Sequence, residues 1–173
     1  MKNLQTITFE IVDGIGWIKL NRPEVRNAFN DKMIGELKAA FRELSNAPQA
    51  KALVILGNGA VFSAGADLNW MKKVVDYSYE ENRKDSQKLQ ELFEKLYTLP
   101  LPTISVIHGA CLGGANGLAA ASDIVMAETE TQFRFSEVRI GLTPATVAPY
   151  VIKRIGEHAA KYYMLTGKAF YVK

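Results

Sequence analysis

The sequence predicts an α/β fold forming a single domain over residues 1–173. Three observations carry this expectation. Short apolar runs alternate with amphipathic helical stretches, the pattern of strands buried between helices. Apolar residues make up 48% of the chain and charged residues 23%, a balance that lets a core offset chain entropy. No Pro-, Ser- or charge-rich linker divides the chain, and a domain this long buries roughly 70% of its unfolded surface.

The elements follow in order. Residues 6–12 alternate as a strand, Asp13-Gly14 signals a turn, and residues 16–20 form a second strand, so the chain opens as a β-hairpin. Asn21-Arg22-Pro23 stops it. Residues 29–44 place Phe29, Met33, Ile34, Leu37, Ala40, Phe41 and Leu44 at helical spacing, with Asn30 or Asp31 as N-cap. Residues 52–56 are all apolar, a strand covered on both faces. The small-residue loop Phe62-Ser63-Ala64-Gly65-Ala66-Asp67 feeds a short helix through Leu68, Trp70 and Met71. A second amphipathic helix lies within 79–99, and 103–107 is another buried strand. Gly113-Gly114 opens a helix toward Ser122, short strands follow at 124–127 and 132–133, and Gly156 separates helices at 148–155 and 157–165.

Composition narrows the function. The net charge is +3, and its basic residues are scattered with no run of five like charges, so a nucleic-acid arm is not expected. Cys111 is the single cysteine and sits between Ala110 and Leu112, which suggests a packing role in a reducing compartment. The first ten residues resemble neither a signal nor a transit peptide, so cytoplasm is the expected location. Residues 99–122 carry no ionised side chain and imitate a membrane span. Pro100, Pro102, His108, Asn116 and interrupting glycines favour a strand, a tight turn and a buried helix instead.

Several chemistries lose support. There is no G-x-G-x-x-G, no phosphate-binding G-x-x-x-x-G-K-[ST] and no G-x-S-x-G nucleophile elbow. No metal site is expected, because His108 and His158 lie fifty residues apart and Cys111 has no partner. Two loops remain. Ser63-Ala64-Gly65-Ala66-Asp67 and Gly113-Gly114-Ala115-Asn116-Gly117 each lead from a strand into a helix. Small residues let a ligand approach the backbone, and the first helical N–H groups have no internal acceptor. Two such donors aimed at one oxygen would stabilise a carbonyl gaining negative charge. Either loop alone reads more readily as a tight turn that packs helix on sheet.

Asn21-Arg22-Pro23, Arg26-Asn27-Ala28, Phe62 to Leu68, His108 to Gly114, Ser122-Asp123 and Phe133 to Leu142 resemble, in order and spacing, the crotonase superfamily of enoyl-CoA hydratases and isomerases. The similarity spans essentially the whole chain. Gly65-Ala66-Asp67-Leu68-Asn69-Trp70-Met71 and Ser136-Glu137-Val138-Arg139-Ile140-Gly141-Leu142 look most like 3-methylglutaconyl-CoA hydratases and related bacterial enoyl-CoA hydratases. The resemblance implies a crotonase-like spiral of ββα units and an acyl-CoA thioester substrate, in fatty-acid metabolism or leucine degradation. It implies no separate cofactor, coenzyme A being part of the substrate. Backbone N–H groups of Ala66 and Gly114 would hold the thioester oxygen, and Glu137 would move the proton. Val25, Arg26, Ala28, Ala64, Gly65, Asp67, Leu68 and Gly113 fall on segments that would bind the substrate.

The chain also departs from the family pattern. Family members commonly use two glutamates, and the first would stand three residues past Gly114, where this chain has Gly117. A positioned acid–base group contributes typically ~10²–10⁴-fold. Hydration of a 2-enoyl-CoA is the expected reaction, with 3,2-enoyl-CoA isomerisation by Glu137 alone, or acyl-CoA binding without turnover, as alternatives. The sequence ends where family chains continue with further helices, so the fold is expected to lack that C-terminal segment. A homo-oligomer, trimer or hexamer, is expected through apolar surface near Trp70, Met164 and Leu165. Asp67, Asp123 and His108 are read as structural. Asn116 is a doubtful substitute for the missing acid. Arg139 is a candidate for favouring an acidic acyl chain.

Overall fold

A computed structural model describes residues 3–172, so residues 1, 2 and 173 of the expected domain lie outside the described residues. Strands β1 (Ile7–Val12) and β2 (Ile15–Leu20) form the expected antiparallel hairpin. Asp13 and Gly14 both take positive φ, 52° and 82°, as a two-residue turn matched to strand twist requires. Helix α1 (Asp31–Ser45) starts one residue after Asn30, whose side chain accepts the Met33 N–H at 2.9 Å. Strand β3 (Ala52–Gly57), helices α2 (Leu68–Val74) and α3 (Tyr79–Tyr97), and strand β4 (Thr103–Ile107) follow. A Ser78–Glu81 capping box begins α3.

Beyond β4 come β5 (Ala110–Leu112), α4 (Ala115–Ala121), β6 (Ile124–Ala127), β7 (Gln132–Arg134), α5 (Ala148–Thr166) and β8 (Phe170–Tyr171). Gly156, at φ 79° and ψ 160°, interrupts α5 where the sequence placed a boundary. One sheet has the order β1-β2-β3-β4-β6, parallel except for the opening hairpin; the other is β5-β7-β8. The three-residue β5 and two-residue β8 are too short to show a period in sequence.

The inner face of the large sheet forms the core. Ile7, Ile18, Leu20, Leu53, Ile55 and Ile107 are at most 1% exposed there, packed with Met33, Leu37, Phe41 and Leu44 of α1 and Leu92, Phe93 and Leu96 of α3. Gly16 lets α1 lie close, since a Cβ would fall 2.5 Å from Leu44. The outer face differs from the expectation for β4, whose Val106 is 37% exposed because α1 and α4 approach from the inner side.

Candidate active site

Two glycine loops meet at the end of the large sheet. Ser63 pairs with Cys111 of β5 through Ser63 N–H to Ala110 O at 3.1 Å and Leu112 N–H to Ser63 O at 3.0 Å. This pairing carries the first loop directly onto the second. Gly65, at φ +88°, lies so close that a Cβ would be 2.6 Å from the Leu112 carbonyl oxygen and 3.5 Å from Gly113 Cα. Gly113 itself turns at φ +51° and donates to Arg134 O at 2.8 Å. Only residues without a side chain allow this approach.

The contact leaves two donors free. Phe29 N–H donates to Gly65 O at 2.7 Å and Asp67 N–H to Phe29 O at 2.8 Å, so the N–H of Ala66 faces away from Phe29. Gly114 caps the N-terminus of α4, where the helix offers its N–H no acceptor. Neither N–H has an acceptor among the described residues. Asn116, 3% exposed, donates its amide to Gly113 O at 2.9 Å and Arg134 O at 3.0 Å, and so fixes the turn that presents Gly114.

Polar residues brace the first loop. Asp67 caps α2, accepting from Asn69 N–H at 2.9 Å and Trp70 N–H at 3.4 Å, and pairs with Arg22 at 2.8 Å. Burial alone would raise its pKa, but the Arg22 guanidinium and the two helix N–H groups together hold it below the usual carboxylate value. Arg22 also donates to Ala28 O at 2.6 Å. Arg26 and Asn27 take left-handed φ of 54° and 53°, which lets Arg26 O accept Ala64 N–H at 2.9 Å and Asn27 O accept Ser63 Oγ–H at 2.8 Å. Residues 25–28 therefore line up against residues 64–68.

Glu137 enters from a short 3-10 turn, Glu137–Ile140, that follows β7. Its Oε1 lies 3.4 Å from the place a Gly113 Cβ would occupy, with Ser136 Oγ at 3.6 Å. Its Oε2 is buried without a partner. Burial pushes the carboxyl pKa upward, only partly countered by backbone N–H groups of Glu137 and Ser136. A carboxyl whose pKa is raised by burial is suited to take up and return a proton.

The place of a second acid is filled. Gly117 lies in α4 directly under Phe93 of α3, and a Cβ there would sit 2.3 Å from Phe93 Cζ. Phe93 is fully buried and meets Tyr150 edge-on at 6.2 Å, and Tyr150 leans on Tyr97 at 5.3 Å. Among the described residues, Glu137 is the carboxylate placed against Gly113.

The family profile described as enoyl-CoA hydratase/isomerase matches residues 10–173. The chain belongs to the enoyl-CoA hydratase/isomerase family. A Thermus thermophilus protein assigned as an enoyl-CoA hydratase is 39% identical over 149 residues, covering 86% of this chain and 59% of that protein. The hydroxycinnamoyl-CoA hydratase-lyase of Pseudomonas fluorescens is 32% identical over 171 residues, covering 96% and 61%. The crystal structure of an enoyl-CoA hydratase from Shewanella pealeana superposes with a TM-score of 0.97 at 38% identity, covering 99% of this chain and 64% of that one. The fold is therefore the crotonase fold. The chain spans about three-fifths of the length of these relatives.

Within this enoyl-CoA hydratase/isomerase domain, the structure brings Ala64, Gly65, Ala66, Gly113, Gly114 and Glu137 together. Val25 and Arg26 are exposed beside the first loop, while Ala28 is 5% exposed with its carbonyl held by Arg22. The Asp67 carboxylate is held by Arg22 and the α2 cap. Leu68 is 75% exposed. Asp123 accepts Thr103 N–H and Oγ1–H, both at 2.8 Å, and His108 Nε2 meets Gly59 O at 2.9 Å, so both are structural as read. Burial drives the Cys111 thiol pKa strongly upward, consistent with packing. The residue that sequence reasoning missed is Phe93. Its helical stripe marked it as core, and nothing in the spacing showed that it meets Gly117. No helix is long and apolar enough to cross a membrane among the described residues.

Proposed function

We propose that the chain hydrates a 2-enoyl-CoA thioester to a 3-hydroxyacyl-CoA in the cytoplasm, with coenzyme A carried by the substrate and no separate cofactor. The observation that carries this reading is the unpartnered Glu137 carboxyl beside two loops that each offer an unused N–H. The thioester oxygen is received by the N–H groups of Ala66 and Gly114. Glu137 takes a proton from water as its oxygen bonds to Cβ, and the π electrons move onto the thioester as an enolate. Collapse of the enolate draws the same proton from Glu137 to Cα. Hydrogen and hydroxyl thus add from one face, and the carboxylate is restored. Each donor of this kind is worth about 2.7–4 kcal/mol.

Phe93 over Gly117 favours a second reading, isomerisation of a 3-enoyl-CoA to the 2-enoyl form. One carboxylate suffices there, removing a proton from Cα and returning it to Cγ. The test is to incubate crotonyl-CoA and a 3-enoyl-CoA separately in H₂¹⁸O. Loss of the conjugated-thioester absorbance with ¹⁸O in the product supports hydration. Conversion of the 3-enoyl substrate without ¹⁸O supports isomerisation, and full activity of Glu137→Gln in either assay refutes both.

A further inference from the structure

Arg22 and the first loop are joined by a chain of peptide groups. Arg22 Nη1–H donates to Ala28 O at 2.6 Å. That carbonyl shares its peptide with the Phe29 N–H, which donates to Gly65 O at 2.7 Å. The Gly65 carbonyl in turn shares its peptide with the N–H of Ala66. Both peptides are trans, so each C=O points opposite to its own N–H. The guanidinium therefore stands at the head of a line that runs through two peptides and ends on the Ala66 N–H. Ala28 and Phe29 are buried and the Arg22 side chain is 16% exposed, so solvent screens little of that line.

The head group is fixed in place. The backbone N–H of Arg22 donates to Asn27 Oδ1 at 2.9 Å, and Arg22 O accepts the Asn27 N–H at 2.8 Å. Arg22 Nη2 pairs with Asp67 Oδ2 at 2.8 Å, while the Asp67 N–H donates to Phe29 O at 2.8 Å. One guanidinium thus grips both sides of the contact that aims Ala66. The second loop is built differently. Gly113 O, on the same peptide as the Gly114 N–H, accepts from the backbone N–H of Asn116 at 3.0 Å and from its side-chain amide at 2.9 Å. Both of those donors are neutral.

We propose that Arg22 is a positioning residue that strengthens the Ala66 N–H as a donor, which rests on the reading that Ala66 and Gly114 receive the thioester oxygen. An amide whose oxygen accepts a hydrogen bond becomes a better N–H donor, and each link strengthens the next by about 10–30%. Here a cation starts the chain with a charge-assisted bond. The same cation offsets the Asp67 carboxylate, one residue from Ala66, which would otherwise oppose negative charge growing on the thioester oxygen. The two donors are therefore unequal: a charge stands behind Ala66 and only a neutral amide behind Gly114.

The test pairs crotonyl-CoA turnover with infrared difference spectra of bound butyryl-CoA carrying ¹³C at its thioester carbonyl, a saturated ligand that cannot be hydrated. Bound to the wild type, the carbonyl band should move to lower frequency. In Arg22→Gln the shift should be smaller and kcat about three- to tenfold lower, the part of a ~10²–10³-fold donor that such links carry, with KM little changed. Arg22→Lys keeps a cation and should retain more of the shift than Arg22→Gln. Asp67→Asn keeps the α2 cap but frees the guanidinium for Ala28, so the band should move further than in the wild type even though the protein melts lower. A purely structural brace predicts the reverse, and this variant decides the matter if Arg22→Gln does not fold. A wild-type shift that survives intact in Arg22→Gln, a shift in Arg22→Lys no larger than in Arg22→Gln, or a reduced shift in Asp67→Asn would overturn the proposal. A wild type that leaves the band unmoved would instead refute the reading of the two loops, and the proposal with it.

Discussion

Inserting a glutamate at position 117 should not create a second catalytic acid; it should unfold the site. A Cβ at Gly117 would lie 2.3 Å from Phe93 Cζ, and ordinary contact begins at 3.4 Å, so the ring must retreat by more than 1 Å. It has little room, being fully buried with Tyr150 behind it. Overpacking of this kind costs about 1–3 kcal/mol. A carboxylate left without partners under an aromatic ring adds at least about 1–3 kcal/mol. The sum is about 2–6 kcal/mol, and each kcal/mol lowers the melting temperature by about 2–4 °C in a chain of this size. Gly117→Glu should therefore melt roughly 4–24 °C lower, with hydration of crotonyl-CoA unchanged or reduced. Phe93→Leu combined with Gly117→Ala should be destabilised less than the sum of the single changes, because each relieves the other. A Gly117→Glu protein with the wild-type melting temperature and at least tenfold faster hydration would refute the packing argument.

Glu137→Gln should reduce turnover by ~10²–10⁴-fold while raising stability at neutral pH. Its folded pKa is raised, so the wild type loses stability as pH climbs from the ordinary carboxylate value through the raised one; melting curves of the two proteins should converge near pH 4 and separate toward pH 8, with ~4 and above marking the ordinary carboxylate range. Asp67→Asn keeps a cap but loses the ion pair at 2.8 Å, costing about 1.5–3 kcal/mol. Because the folded pKa of Asp67 is lowered, that contribution is present above the ordinary carboxylate value and fades as pH falls through the lowered one, so the deficit measured by denaturant titration should shrink in acid. Gly65→Ala forces a Cβ to 2.6 Å from the Leu112 carbonyl at φ +88°. It should cost more than about 1 kcal/mol and lower kcat with little change in the binding of free coenzyme A by calorimetry.

Much of this was legible in sequence because local signals coincide with burial. The Asp13-Gly14 turn, the Asn30 cap and the helix break at Gly156 all follow from residues whose backbone preferences are strong by themselves. The two loops were legible as small-residue junctions, and the resemblance pointed to Glu137. Two kinds of fact were not. Asp67 reads from sequence as a cap at the start of a helix, and its ion pair with Arg22, forty-five residues earlier, has no local signal. Phe93 and Gly117 belong to different helices, each with its own unremarkable pattern, and their contact is a property of packing. The open outer face was likewise hidden, since an all-apolar strand such as β3 looks the same whether or not a helix covers its second face.

The arrangement separates two parts of one reaction. In the proposed reaction, stabilisation of the thioester oxygen rests on backbone N–H groups, so it depends on glycines that let two loops touch and on polar braces such as Asp67 and Asn116. Proton movement in the proposed reaction rests on a single side chain, Glu137, and on what its surroundings exclude. Phe93 fills the space over Gly117, and in the proposed reaction the proton taken by Glu137 is the one it returns. A centre of this kind has one face and one carrier, so the position of the acyl chain relative to Glu137 decides whether the proton comes from water or from carbon. The difference between hydration and isomerisation then lies in whether a water fits between Glu137 and Cβ. Substitutions that enlarge or narrow that gap should shift the ratio of the two products while leaving both dependent on Glu137.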